Sequence, residues 1–284
     1  MIVKRAYADL HLHTVASDGT QTVEDIVRRA QASALHCVAI TDHDTIDPRF
    51  DRRVREMSGV EVVTGVEVKA MFGDVAGELL GYFVDPTSKD LQGLLGPLSS
   101  SRDVRMERMV ELCQEHIGPE VTLERVLEIS GDGNVGRPHL AKALLELGVV
   151  ESLPEAFDTW IGKGCPCYYA IEKPSFEDAL RILKRAGGAV SVAHPCLMKV
   201  EDWPAALDEW KAAGLDGVES VYPYSDSRNL TLAPARMAQL AHERDFLVTG
   251  GSDDHGPEST KMGLGGIRLP YIHVEALKER AGLA

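Results

Sequence analysis

The chain has 284 residues, 44% hydrophobic and 26% charged, with 26 glycines and 14 prolines. This excludes fibrous and disordered classes and leaves room for one large α/β barrel or a barrel carrying an inserted domain. A formal net charge of −14 argues against a nucleic-acid-coating surface, so long duplex nucleic acid is not an expected partner, whereas bound divalent metals would offset clustered carboxylates. Five cysteines, an odd number with no C-x-x-C pair, argue against a disulfide framework or a zinc ribbon.

Met1-Ile2-Val3-Lys4-Arg5 leads without an apolar signal region into a short strand, Ala6 to His13, and no stretch approaches the length of a membrane span. The expected setting is cytoplasmic and reducing, with no membrane partner. A helix from Val23 to Ala34 follows, capped by Thr22 with Asp25 at the capping-box position. His36 to Thr41 reads as a buried strand, Asp47 to Met57 as helix-like, Val60 to Thr64 as a strand ending before Glu67, and Glu78 to Phe83 as a continuation of the sheet. From Leu91 to Tyr168 helical signals take over, including Ser99 to His116 and Arg137 to Leu147. Then strand and helix alternate again: helix Ser175 to Arg185, strand Ala189 to Ala193, helix Trp203 to Ala213, strand Gly217 to Val221, helix Pro234 to Arg244, strand Phe246 to Thr249. Repeated βα units imply a parallel sheet or barrel. The expected division is a barrel of residues 1–90 and 169–284 with a mainly helical cap of residues 91–168 inserted in it.

His11 and His13 lie two apart on a strand, so both rings share one face and can reach one metal, with Asp18 in the following polar loop as an oxygen ligand. Thr41-Asp42-His43-Asp44, Glu67, His194 and Asp253-Asp254-His255 each fall directly after a predicted strand. In parallel α/β folds the carboxyl ends of the strands gather distant side chains at one mouth. A lone histidine in a loop is ordinarily just hydrogen-bonded, which is the reading kept for His36, His116, His242 and His273. Five histidines at strand ends beside carboxylates instead form a metal-ligating set. Nitrogen and oxygen donors without thiolate suit Mn²⁺, Fe²⁺ or Zn²⁺.

With DLHLHTVASDGT, TDHD, GVE, AHP and GSDDH in this order, the chain resembles the polymerase and histidinol phosphatase (PHP) family over nearly its whole length. The resemblance implies a distorted seven-stranded βα barrel whose site holds two to three divalent metal ions, Mn²⁺ being expected, that activate water for phosphate ester hydrolysis. It assigns His11, His13, Glu67 and Asp253 to one metal, with Glu67 bridging to a second that His194 also holds, and Asp18, His43 and His255 to a third. Glu78 stands where similar proteins usually carry a histidine for the second metal, and it could coordinate through oxygen. Asp253 and His194 are the expected catalytic residues.

Ser99-Ser100-Ser101-Arg102-Asp103-Val104-Arg105 is expected to open a helix with Arg102 and Arg105 on one face, a seat for phosphate. Asn134-Val135-Gly136-Arg137-Pro138-His139 turns into a second helix that would present Arg137 and His139 to the barrel mouth. The segment GRPHLAKAL and its surroundings resemble a stand-alone bacterial PHP subgroup acting on nucleotides with phosphates at both 3′ and 5′ positions. This implies hydrolysis of the 3′-phosphate of a 3′,5′-bisphosphonucleotide such as pAp, with Arg102, Arg137 and His139 on the other phosphate. Members of that subgroup are also linked to 5′-to-3′ trimming of short RNA. Rival readings are a histidinol phosphate phosphatase, which would not need a second phosphate seat, and a non-catalytic metal-binding module.

Overall fold

The computed structural model describes residues 6–131, 133–227, 229–257 and 262–284. Met1-Ile2-Val3-Lys4-Arg5, the segment read above for a signal region, lies outside them. Strand β1 (Tyr7–Leu12) is followed by α1 (Val23–Ala32), β2 (Cys37–Ile40), β3 (Val54–Met57), β4 (Val60–Phe72) and β5 (Val75–Tyr82). Helices α2 (Lys89–His116), α3 (Leu123–Ser130), α4 (Arg137–Glu146) and α5 (Leu153–Ala156) come next. The chain then runs through α6 (Phe176–Arg185), β6 (Ala189–Val192), α7 (Trp203–Ala212), β7 (Gly217–Val221), α8 (Pro234–His242), β8 (Leu247–Gly250), β9 (Leu269–Pro270) and α9 (Ile272–Arg280).

The strands order as β8-β7-β6-β5-β4-β2-β1, with β9 appended to β1 and β3 paired to β4. Closure comes from a parallel bridge between Leu12 and Asp254, with the Asp253 N–H donating to the His11 carbonyl at 2.9 Å. Seven strands therefore enclose the barrel, as the family resemblance implies, and β3 and β9 are accessories. The sheet is mixed rather than wholly parallel, because β5 runs antiparallel to both β4 and β6. This reversal lets Glu78 reach the mouth from the opposite direction to the residues that follow β1, β2, β6 and β8.

Three local expectations fail for identifiable reasons. Asp47 to Met57 is not a helix: Asp47 Oδ1 accepts the Arg49 N–H at 2.9 Å in a side-chain-closed turn, and Val54–Met57 then pairs antiparallel with β4. Ser58 (φ 53°) and Gly59 (φ 79°) make the two-residue reversal between them, the left-handed pair that a tight hairpin requires. Strand β4 does not stop at Thr64, so Glu67 lies inside a strand. Gly65, within this strand, is a close-approach glycine, since a Cβ there would lie 2.9 Å from the Ile40 carbonyl oxygen. Finally, α2 starts at Lys89 under a Ser88 cap and runs through Pro97. Ser99 to Arg105 is thus mid-helix, its amides committed to the helix ladder rather than open to an anion.

Helix α2 belongs to two cores. Leu91, Leu95 and Leu98 pack in the large cluster around the barrel, whereas Met106, Met109, Val110 and Cys113 join Leu140, Leu144 and Ile161 in a separate helical cluster. No helix among the described residues is long and apolar enough to cross a membrane.

Candidate metal centre

The loop after β1 is wound onto Asp42. One carboxylate oxygen accepts the Thr14 N–H at 2.7 Å and the Ser17 hydroxyl at 2.6 Å, and the other accepts the Thr14 hydroxyl at 2.7 Å. This brings Asp18 back over the strand, and only glycine fits next, because a Cβ at Gly19 would lie 2.4 Å from the His13 carbonyl oxygen. Across the closure, Asp9 accepts the Ser252 N–H at 2.8 Å and the Gly265 N–H at 3.1 Å, while Arg29 pairs with Asp254 at 2.6 Å. The backbone is left-handed at Asp44 (φ 53°), His194 (φ 27°) and Asp253 (φ 56°), conformations that L-residues hold only where surrounding contacts enforce them.

All nine candidate ligands meet at this mouth. Glu67 Oε2 lies 3.5 Å from both His11 Nε2 and His13 Nε2, and Asp253 Oδ1 lies 3.6 and 3.2 Å from the same two atoms. On one side, His194 Nε2 stands 3.1 Å from Glu67 Oε1 and 3.3 Å from Glu78 Oε2. On the other, Asp18 faces His255 at 3.3 Å, His43 at 3.8 Å and His13 at 4.0 Å. The donor groups that could each hold an ion are His11–His13–Asp253, His11–Glu67–His194, His43–Glu67–Glu78 and His13–Asp18–His43–His255.

A divalent metal fits these residues on an observation independent of the motif. His11 Nε2, both His13 nitrogens, His43 Nδ1, Asp18 Oδ1 and Glu67 Oε2 are buried without a hydrogen-bond partner. Yet His43 Nδ1 and Glu67 Oε2 are only 2.8 Å apart. Lone pairs are converging on shared points instead of N–H groups pointing at oxygens, and orphaned polar atoms are otherwise costly. For bonds of about 2.1 Å, neighbouring ligand atoms lie roughly 3.0 to 3.4 Å apart, the range seen at the tighter contacts.

The charges respond to this crowding. Burial would lower His11, but the Glu219, Asp253 and Glu67 carboxylates hold it well above its ordinary value. His13 goes the other way, pushed down by burial and by His255 and His43. Burial would raise Glu67, yet the imidazoles of His43 and His11 keep it well below the usual carboxylate range. His194, against burial, rises to about 9 beside Glu67 and Glu78.

Several residues here escape motif reading. Glu219 Oε1 accepts from His11 Nδ1 at 2.9 Å, which turns the His11 Nε2 lone pair toward the cluster, and Glu219 Oε2 accepts the His194 N–H at 2.8 Å. The available signal was a carboxylate inside the buried strand Gly217–Val221. Tyr222 donates its hydroxyl to Asp253 Oδ2 at 2.8 Å. A cavity of about 350 Å³ opens beside these groups, lined by Glu67, Glu78, His194, Asp253, Lys69 and Tyr222 among others.

The four expected substrate residues separate into two pairs. Arg102 is buried and bound to Asp44 through Nε at 2.9 Å, and His139 Nδ1 accepts the Gly136 N–H at 3.0 Å, closing its own helix start. Arg105 and Arg137, by contrast, both lie over the Tyr168 ring, at 5.4 and 5.8 Å. Among the described residues neither pairs with a carboxylate. Burial, with Arg137 beside it, pushes Arg105 down to about 10, and burial lowers Arg137.

Comparison with known proteins places this geometry. The family profile described as PHP domain matches residues 9–152. A phosphoribosyl 1,2-cyclic phosphate 1,2-diphosphodiesterase of Eggerthella lenta is 31% identical over 93% of this chain and 97% of its own length. A 5′-3′ exoribonuclease of Haemophilus influenzae is 30% identical over 88% and 90%, and a 3′,5′-nucleoside bisphosphate phosphatase of Chromobacterium violaceum is 28% identical over 89% and 88%. A solved structure from Bifidobacterium adolescentis, described as a candidate metal-dependent phosphoesterase, superposes with a TM-score of 0.82 at 30% identity over 96% of each chain.

Proposed function

The chain belongs to the PHP family of metal-dependent phosphoesterases, and from that premise we propose that it removes the 3′-phosphate from 3′,5′-bisphosphonucleotides such as pAp. The observation that carries the reading is the Arg105–Tyr168–Arg137 stack. Two half-buried guanidinium groups on one ring, without a carboxylate and in a protein of net charge −14, form a seat for an anion apart from the metal ligands. Lys173, lowered by burial and by the nearby charges of Arg105 and Lys69, adds to it. Burial chiefly lowers Arg137, and the Glu78 carboxylate of the cavity wall acts on it electrostatically, which supports a seat on the side of the reaction centre. The helical segment of residues 91–168 serves as the cap that supplies this seat.

At the centre, His11, His13, Glu67 and Asp253 would hold one metal, His194 and Glu78 with Glu67 a second, and Asp18, His43 and His255 a third, with Mn²⁺ as the proposed ion. Such ions polarise the phosphoryl group, lower the pKa of water and stabilise charge on the leaving oxygen. Asp253, its far oxygen held by the Tyr222 hydroxyl at 2.8 Å, would orient a water for attack and accept its proton, and His194, on the cavity wall, would face the leaving oxygen. A second reading, 5′-to-3′ trimming of short RNA, rests on the same seat engaging a terminal 5′-phosphate and on the exoribonuclease relative.

Phosphate release from pAp, 5′-AMP, histidinol phosphate and a short 5′-phosphorylated RNA by the Mn²⁺-loaded protein, compared by kcat/KM, decides between these. Preference for pAp supports the proposal. Preference for histidinol phosphate overturns it, and mononucleotide release from RNA without phosphate release from pAp moves the assignment to the second reading.

A further inference from the structure

Lys69 and Glu78 are direct cross-strand partners on β4 and β5, with the Lys69 ammonium 3.4 Å from Glu78 Oε1. The other oxygen of the same carboxylate faces His194 at 3.3 Å. Glu78 is therefore shared between a metal-ligating group and a fixed cation. The lysine backbone is anchored as well, its N–H donating to Asp44 Oδ1 at 3.1 Å, so the ammonium is delivered to this spot by a rigid strand. The ligands of the first centre are sealed by comparison, the side chains of His11, His13, Glu67 and Asp253 being 0%, 0%, 1% and 4% exposed, whereas Glu78 is 18% and Lys69 24% exposed on the cavity wall.

We propose that Lys69 governs the second metal site: its ammonium competes with the ion for the Glu78 carboxylate and keeps this centre weaker and more exchangeable than its neighbours. The inference rests on the metal-dependent reading above. Two effects act in the same direction, since an ion taking Glu78 must displace the ammonium from its counter-ion and must also sit beside a like charge. Among the described residues no ammonium or guanidinium pairs with Glu67, the carboxylate at the heart of the first centre. A lysine at this position is thus a setting of metal affinity, and its removal strengthens binding.

The test is equilibrium dialysis of chelator-stripped protein against Mn²⁺, with bound metal counted by elemental analysis and folding checked by circular dichroism. Lys69→Met is expected to tighten the weakest class of sites by about tenfold, equivalent to about 1.4 kcal/mol, and to leave the tight class alone. Lys69→Arg, which keeps the charge, leaves both classes near wild type, and in a Glu78→Gln background the Lys69→Met effect shrinks. Unchanged or weakened binding in a folded Lys69→Met protein overturns the inference, and Lys69→Gln replaces it should that variant not fold. A wild-type protein that takes up no metal overturns the functional reading instead.

Discussion

Glu219 does not line the cavity, yet it holds two of the site's parts at once, the His11 ring and the His194 amide. Replacing it by alanine leaves two buried donors without acceptors, at about 1–3 kcal/mol each, and frees the ring that aims His11 Nε2. Glu219→Ala is therefore expected to lower both the unfolding free energy and Mn²⁺ affinity, the latter by about 10- to 100-fold. Denaturant titration and metal counting check the two effects separately, and loss of stability alone would sink the orienting role. Arg137 belongs to the same scale. Arg137→Ala is expected to raise KM for pAp by at least about tenfold while changing KM for 5′-AMP much less, because only the bisphosphate reaches both seat and metals. Equal changes on both substrates would remove Arg137 from the seat.

Beside the apolar packing of Leu91, Leu95 and Leu98, helix α2 meets the barrel in a buried ion pair, Arg102 on Asp44. Asp44 also accepts the Lys69 N–H and follows His43, so this contact couples the helix to a ligand-bearing loop. Arg102→Met strands a buried carboxylate and is expected to cost about 3–5 kcal/mol. Adding Asp44→Asn, which keeps an acceptor for Lys69, recovers part of that loss in a double-mutant cycle. Additive losses would show that the pair is not the link. The spacing of Arg102 and Arg105 three apart identified charge on one helix face, but not that one of them is consumed inside the protein.

For the molecule as a whole, nine candidate imidazole and carboxylate ligands meet at one barrel mouth, five of them with orphaned buried atoms, so metal uptake is expected to be linked to folding. Stripping the metal with a chelator is expected to lower Tm by about 5 to 10 °C relative to protein held at 100 times Kd, where ligation adds about 2.7 kcal/mol. An identical melting curve would contradict the ligand map. The ligand-bearing motifs were legible in the sequence because coordination demands particular side chains, and strands ending in HxH, TDHD, AHP and SDDH leave few other uses for them. The seven-stranded barrel was implied by the family those motifs resemble, the βα alternation alone giving only a parallel sheet or barrel. Less legible were the β3–β4 hairpin, hidden behind Asp47-Pro48, and the continuity of α2 through Pro97, since tertiary packing overrides local breaker signals. The sequence by itself, through its motifs and the family they resemble, determined the PHP family and a phosphoesterase reaction. Only the tertiary structure decided that Arg102 is spent on Asp44, 58 positions away, that Glu219 aims His11 across 208, and that Arg105 and Arg137 meet on Tyr168. These roles depend on which partner burial places beside each charge, and no local pattern of residues encodes contacts at that separation.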